Sequence, residues 1–363
     1  MPSAYPGNRL VIKKLNSTMT IQPPSSRPLE ISVTEPLEPA YERVKQMLFK
    51  PFDLTKWIVI GFCAWLAGLG ESGGGGGGGF NGFNDGGNHF NRSNGQPAEE
   101  LRHAYHQARD YVLANLDWIL PLAIFLVVFI VAIWLAVLWF SSRGKFMFLH
   151  CVALDKAEVE VPWVKFAGAA NSLFRFRLVL AVIGMVLMLP LLVFVVADIL
   201  RMVLRGEADV AGVMSAVGGT MLLVLLSLTF ALIHKFLVDF IVPIMFLRGG
   251  NCVAAWREFL ALLSANPGKF TVYVLFQIVL SMAIGVLVLL AFVVTCCIAC
   301  CLAMLPFVGT VLLLPVLVFK RAYPLYYLAQ YGPQYDVFPK PPAVPVTPAM
   351  PEQTPPPAFG AQA

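Results

Sequence analysis

Long runs of apolar residues, separated by short polar segments, dominate this chain. A helix needs about 20 apolar residues to cross ~30 Å of hydrocarbon. Four runs meet this length, and two shorter ones follow the same pattern. The predicted spans are 54–69, 118–140, 178–200, 213–233, 271–294 and 302–319. The pattern therefore predicts an all-α membrane protein with about six transmembrane helices.

The first span is the doubtful one, because its continuous apolar part, 57–69, would reach only ~20 Å at 1.5 Å per residue. Charge decides the count. With this run as a span, 21 of the 26 Lys and Arg residues fall on one side of the membrane and 5 on the other. Without it, the two sides hold equal numbers. Because cytoplasmic loops carry the excess of Lys and Arg, six spans with both termini in the cytoplasm are predicted.

A weak internal repeat groups these spans into three hairpins. The segment 146–150 (FMFLH) follows the second span, and 244–248 (IMFLR) follows the fourth. Each precedes a short amphipathic stretch, and a third such stretch, 40–50, precedes the first span. The predicted unit is a surface helix on the cytoplasmic face, a span, an outer loop and a second span.

Composition divides the rest of the chain. Residues 1–50 are predicted to be mostly disordered apart from the helix at 40–50, and 51–333 form the membrane domain. The outer loop 70–98 is rich in Gly and is predicted to be flexible, since no Lys-Ser/Thr signature of a phosphate-binding loop follows its glycines. The Pro-rich tail 334–363 is predicted to be disordered and to be the segment through which a membrane or cytoplasmic protein partner would bind.

Composition also bounds the function. Hydrophobic residues make up 58% of the 363 and charged residues 13%, about half the share of an ordinary soluble domain. The net charge of +5 arises from the loops on one side, so it indicates membrane orientation. The lipid bilayer is the predicted partner, and no nucleic-acid binding is expected.

The strongest metal hypothesis concerns a polar stripe before the second span. Glu99, His103, His106 and Asp110 recur at helical spacing and would share one face. Imidazole and carboxylate groups in this arrangement can hold Zn²⁺ or another divalent metal. The competing interpretation, which we favour, is the solvated face of an amphipathic helix.

A second cluster consists of four cysteines, Cys296, Cys297, Cys300 and Cys301, at the proposed outer turn of the last hairpin. Thiolates there could bind Cu(I) or Zn²⁺, or pair as disulfides in an oxidising periplasm. Cysteine also packs as a small hydrophobic residue, and no histidine accompanies the cluster. Packing is the favoured interpretation, and no cofactor is predicted.

Ionisable residues close to membrane depth are functional candidates by default. Asp198, His234 and Asp239 qualify, and each falls at the predicted end of a span, where an interfacial role explains it. An enzyme would require ionisable groups that converge at one membrane face, with His150, His234 and Asp239 as the ones to inspect. The polar pair Gln277 and Ser281 lies within a span and favours hydrogen bonding between helices.

The segment 239–247 (DFIVPIMFL), followed by 255–259 (AWREF) and 266–270 (NPGKF), resembles a family of uncharacterised bacterial membrane proteins. It is similar, more distantly, to the membrane domain attached to some glycerophosphodiester phosphodiesterases. The resemblance implies a bacterial inner-membrane protein without an assigned activity. The phosphodiesterase portion of those fusions has no counterpart in this chain, so its chemistry does not carry over.

No catalytic set or nucleotide motif supports an enzyme. The sequence favours a non-enzymatic scaffold or accessory protein of the inner membrane. The alternative is a transporter or channel for a small solute or ion, since repeated hairpins build many transport folds. A polar cavity at mid-depth would favour transport, and a dry apolar bundle would favour the scaffold.

Overall fold

The computed structural model describes residues 31–70, 107, 109–205, 209–294 and 305–338. All regular secondary structure in these residues is helical. The elements are α1 (Leu37–Phe49), α2 (Leu54–Gly68), α3 (Leu116–Leu154), α4 (Glu160–Lys165), α5 (Ala167–Arg205), α6 (Val210–Phe236), a π-helical segment (Leu237–Ile241), α7 (Val242–Arg248), α8 (Cys252–Ala265), α9 (Pro267–Val294), α10 (Pro306–Leu312), α11 (Leu314–Ala329) and a short 3₁₀ turn (Pro333–Tyr335).

Four helical stretches are long and apolar enough to cross a membrane. They are Leu116–Leu154, Ala167–Val203, Val210–Arg248 and Pro267–Val294. In the most apolar 18 residues of each, between 0% and 11% of the residues are buried. The prediction of an all-helical protein with membrane-spanning helices is confirmed to this extent, and α2 is a shorter apolar helix.

The buried core lies at one end of these long helices. Its centre consists of three chain segments: Ser141–Ala153 of α3, Leu237–Met245 around the π-helical segment, and Arg321–Leu328 of α11. The first two contain the FMFLH and IMFLR sequences. Each of these segments continues an apolar helix by about two to four turns, and its side chains are packed against other parts of the chain.

Short helices close this core. Helix α4 packs on α3, α8 packs on the π-helical segment and α5, and α1 packs on α11. Hence α4 packs on the helix that precedes it, whereas α8 and α1 contact helices that are distant in sequence, α5 and α11. The contact between α1 and α11 joins the N-terminal and C-terminal parts of the described chain.

Helix α2 packs against the buried half of α3. Lys56 pairs with Asp155 at 2.9 Å, and at the other end Gly70, in a left-handed conformation, lies beside Val137. Beyond Val137 the helix continues to Leu116, a further ~32 Å at 1.5 Å per residue. Helix α2 has 15 residues and spans about 22 Å, so it covers only the core half of α3.

The long helices extend further than the predicted spans. Helix α3 continues from 140 to Leu154, and α5 begins at Ala167 instead of 178. The predicted span 302–319 is divided at Leu313 between α10 and α11. Polar residues such as Ser141 and Arg177 indicate a loop in the sequence pattern. In the structure they are helical, because the Arg177 side chain of α5 donates a hydrogen bond to Ser141 of α3.

Candidate functional site

The most polar buried site is centred on Asp239, whose carboxylate is 6% exposed. Lys235 lies one turn earlier, with its Nζ 2.7 Å from Asp239 Oδ2. The Tyr273 hydroxyl, from α9, donates to the same oxygen at 2.9 Å. Gln277 Nε2 in turn donates to the Tyr273 hydroxyl at 3.2 Å. These four side chains form one connected network between the π-helical segment and α9.

The π-helical segment positions this carboxylate. A π turn holds one more residue than an α turn and is frequent at functional sites. Here it widens the helix at Leu237–Ile241, and Arg321 of α11 donates to the Val238 carbonyl at 2.7 Å. The wider turn therefore accommodates the hydrogen bond from Arg321 of α11, and it also positions Asp239.

Aromatic rings shield the network from solvent. Phe240 packs against Phe259, Phe270 and Tyr273 with ring centroids 5.0 to 5.3 Å apart. Tyr273 also packs on Tyr327 at 4.5 Å. Such surroundings strengthen electrostatic attraction and make an unpaired charge costly.

A second polar cluster joins α2, α3 and α5. Arg177 Nη1 donates to the hydroxyls of Ser141 at 3.1 Å and Ser142 at 3.3 Å. Ser141 itself donates to the Ala67 carbonyl at 3.1 Å. The guanidinium is buried, and the cluster fixes three helices at the boundary between the core and the exposed helices.

His150 has a different environment. Its ring packs beside the stacked rings of Phe166 and Phe246, with centroids 6.1 and 6.3 Å away, and the residue is 3% exposed. Neither ring nitrogen has a hydrogen-bond partner, and Glu158 Oε2 lies 3.7 Å from Nε2. The contacts of His150 and those of Asp239 involve different residues, so the two do not form one reactive centre.

Asp198 lies far from this core, in the exposed half of α5. It accepts a hydrogen bond from Ser215 of α6 at 2.7 Å and pairs with Arg201 at 3.4 Å. This geometry joins two long helices. His234 lies on α6, one residue before Lys235, and is partly exposed.

Most of the other predicted ligands lie outside the described residues. Glu99, His103, His106 and all four clustered cysteines, Cys296, Cys297, Cys300 and Cys301, are among them. Asp110 is described and is exposed. Within the described ranges, no three His, Cys, Asp or Glu side chains gather as a metal site would require.

Several members of the two polar clusters are not distinguished by the sequence pattern. Ser141 and Arg177 fall just outside the predicted spans 118–140 and 178–200, and Tyr273 falls within the predicted span 271–294. A usable signal existed for Tyr273, which precedes Gln277 by four residues and so shares its helix face. No comparable spacing links Asp239 to α9, because that contact is tertiary.

Burial also raises the pKa of two groups outside the long helices. It raises the pKa of the Cys252 thiol to about 12, so this cysteine of α8 behaves as an inert apolar residue. Burial raises the pKa of Tyr331 as well, and the hydrogen bond with Tyr327 adds to this effect. Both groups stay neutral at physiological pH.

A cavity of about 550 Å³ lies beside this core, lined by residues that include Ser32, Glu35, Lys269 and Tyr327. The Asp239, Tyr273 and Gln277 side chains are not part of its wall. The buried polar network therefore does not open into this space.

The sequence profile of DUF7544, a family of unknown function, matches residues 31–314. This chain is a member of DUF7544. The match covers both polar clusters and all four long helices. No curated protein and no solved structure gives a significant match. Family membership agrees with the resemblance to uncharacterised membrane proteins and shows no link to glycerophosphodiester phosphodiesterases.

Proposed function

We propose that this protein is a non-enzymatic scaffold of the bacterial inner membrane, with six spans and both termini in the cytoplasm. The single observation that carries the proposal is the contrast between the two halves of the molecule. The polar residues around Asp239 and around Arg177 bond to each other within the core, whereas the long apolar helices bury at most 11% of their most apolar stretches. Such helices offer their surfaces to lipid and to other membrane proteins.

Charge supports the orientation. Arg143, Arg175, Lys235 and Lys269 stand at the core end of the four long helices. Acidic residues stand near the opposite ends of three of them: Asp117, Asp198 and Asp209. Since Lys and Arg favour the cytoplasmic side, the core end is the cytoplasmic end in this proposal.

The number of spans depends on α2. A six-span path requires α2 to cross, although its C-terminal end lies beside Val137, at the middle of α3. We place it in the bilayer because the distribution of Lys and Arg becomes strongly asymmetric only with α2 as a span.

Cysteine accessibility in intact cells and inverted vesicles tests this topology. Single cysteines would replace Ser72, Ser215 and Ser172 in a cysteine-free background. We expect the first two to react from outside and Cys at position 172 to react only in inverted vesicles. Reaction of position 72 only from the inside would mean that α2 does not cross, and the six-span proposal would be wrong.

Photo-crosslinking in cells tests the scaffold role. A benzoylphenylalanine at Phe125 or Met221, which are 67% and 74% exposed, should give discrete protein adducts. The same residue at the position of Leu222, which is also exposed and lies about 100° around the helix from Met221, reports whether the adducts depend on one face of the helix. Absence of adducts at all exposed positions would overturn the scaffold proposal.

The transporter alternative has its own measurement. Purified protein in liposomes should give proton and K⁺ fluxes no larger than those of empty liposomes. A flux that falls on Asp239→Asn or Gln277→Leu would replace the scaffold proposal with a transport function through that network.

A further inference from the structure

Three exposed apolar residues line one face of the N-terminal part of α2. Leu54, Ile58 and Phe62 recur every four residues and are 60%, 45% and 37% exposed. The opposite face, with Ile60 and Cys63, is buried. We refer to Leu54, Ile58 and Phe62 as the α2 stripe.

An aromatic cluster lies at the N-terminal end of this stripe. The Trp57 ring contacts those of Phe49 and Phe52, each with centroids 5.8 Å apart. Trp57 Nε1 donates to the Leu48 carbonyl at 2.8 Å, so the indole is held in place. Phe49 and Phe52 are each more than half exposed, and Lys50 between them is exposed as well.

This combination fits a lipid surface. Contiguous apolar patches of this kind are rare on the water-exposed surface of monomeric proteins. Aromatic rings beside a Lys, at the end of an apolar helix, are typical of a membrane–water interface. The α2 stripe is also apolar and exposed, like the faces of the long helices that contact lipid in the proposed function.

We propose that the α2 stripe contacts acyl chains of the cytoplasmic leaflet and that the aromatic cluster with Lys50 binds anionic phospholipid headgroups at its surface. This inference rests on the proposed membrane location and orientation. Charge complementarity supports it, because the cytoplasmic leaflet carries the anionic lipids and attracts nearby Lys and Arg residues.

Nitroxide accessibility in phosphatidylglycerol nanodiscs tests the position of the stripe. A spin-labelled non-natural residue at Ile58 or Phe62 leaves the native cysteines unchanged. We expect these labels to collide with oxygen more than with a water-soluble nickel complex, and a label at the exposed Glu38 of α1 to show the opposite preference. Labels at Ile58 and Phe62 that prefer nickel, or that neither reagent reaches, would overturn the proposal.

A label at Val286 of α9 separates this inference from the proposed function. If position 286 prefers oxygen while position 58 prefers nickel, the membrane location of the long helices stands, whereas the lipid contact of α2 and its place among the six spans fail. If both positions prefer nickel, the membrane location itself fails.

The headgroup contact has a separate measurement. Lys50→Gln should weaken the apparent affinity for phosphatidylglycerol, titrated into the purified protein, about fivefold, which is the effect of ~1 kcal/mol per basic residue at an anionic surface. Lys50→Arg should keep the affinity, and Lys156→Gln, which removes an exposed cation outside the cluster, serves as the matched control. Equal affinity of the Lys50→Gln protein and the unchanged protein would exclude the headgroup site.

Discussion

Asp239 illustrates how a charge is accommodated in this apolar protein. Removing a carboxylate from water is costly unless it is paired and hydrogen-bonded. Lys235 supplies the opposite charge and Tyr273 the hydrogen bond. Since Lys235 is itself 38% exposed, solvent screens the ion pair, and the buried hydrogen bonds are the larger part of the stabilisation.

Asp239→Ala should lower the free energy of unfolding by about 1 to 3 kcal/mol, because the Tyr273 hydroxyl loses its acceptor in a buried site. Titration with a denaturing detergent measures this change. Asp110→Ala, at an exposed carboxylate, should change stability by less than about 0.5 kcal/mol.

A double-mutant cycle adds the second test of this site. Tyr273→Phe removes only the hydroxyl, and combined with Asp239→Ala it should show a coupling energy of about 1 kcal/mol. Additive effects would contradict the hydrogen bond at 2.9 Å.

The Asp239 site also shows which contacts cannot be inferred from the sequence. Asp239 stands out as an ionisable residue at the end of an apolar run, and Gln277 as a polar residue within one. The sequence singled out both residues, but it did not pair them through Tyr273. That link depends on the approach of α9 to the π-helical segment.

At the scale of helices, close approach depends on small residues. A Cβ atom on Gly144 of α3 would lie 2.4 Å from the Ala67 backbone nitrogen of α2. One on Gly219 of α6 would lie 2.7 Å from the Val195 Cγ2 methyl of α5. Absence of a side chain at these positions lets the helix pairs pack.

Ala substitutions at the glycines should therefore have graded effects on stability. Gly144→Ala should cost about 1 to 3 kcal/mol, since the backbone of α2 must move. Gly219→Ala should cost less, because the Val195 methyl can rotate. Gly218→Ala meets no atom within 4 Å and should be neutral or stabilising by up to about 1 kcal/mol.

Detergent-denaturation midpoints of the three variants would measure this order. Equal effects of Gly144→Ala and Gly218→Ala would contradict the helix contact. The sequence alone does not show which of these glycines lies at a helix contact. A glycine in an apolar helix has the same sequence pattern whether its neighbour is lipid or another helix.

At the scale of the whole molecule, the two ends of the described chain meet. The Ser32 backbone amide donates to Gln330 Oε1 at 2.9 Å, and Gln330 Nε2 donates to the Ser32 carbonyl at 3.0 Å. The Tyr323 hydroxyl donates to the Val33 carbonyl at 2.7 Å. The segment before α1 is thereby attached to α11.

Gln330→Ala should loosen this attachment. Two lost hydrogen bonds of about 1 kcal/mol each should speed hydrogen exchange in residues 31–36 by roughly 10- to 30-fold. Mass spectrometry of the exchanged peptides measures this, and Gln334→Ala is the control. Unchanged exchange in 31–36 would show that the attachment does not depend on Gln330.

The lengths of the apolar runs are enough to predict that this protein is helical and suited to a membrane. Runs of apolar residues longer than a bilayer requires leave the backbone no other way to satisfy its hydrogen bonds in lipid. The FMFLH and IMFLR repeat also marked two of the three central core segments, although it did not show that they would be buried.

Which polar residues meet depends on the tertiary structure. The spacing of Ser141 and Arg177 in the sequence does not link them, because their partners lie on other helices and hydrophobic periodicity reports one helix at a time. The same reason explains why α3 continues past its predicted end and α5 begins before its predicted start. A polar residue at the end of a run ends a span only if water surrounds it, and here neighbouring helices replace the water.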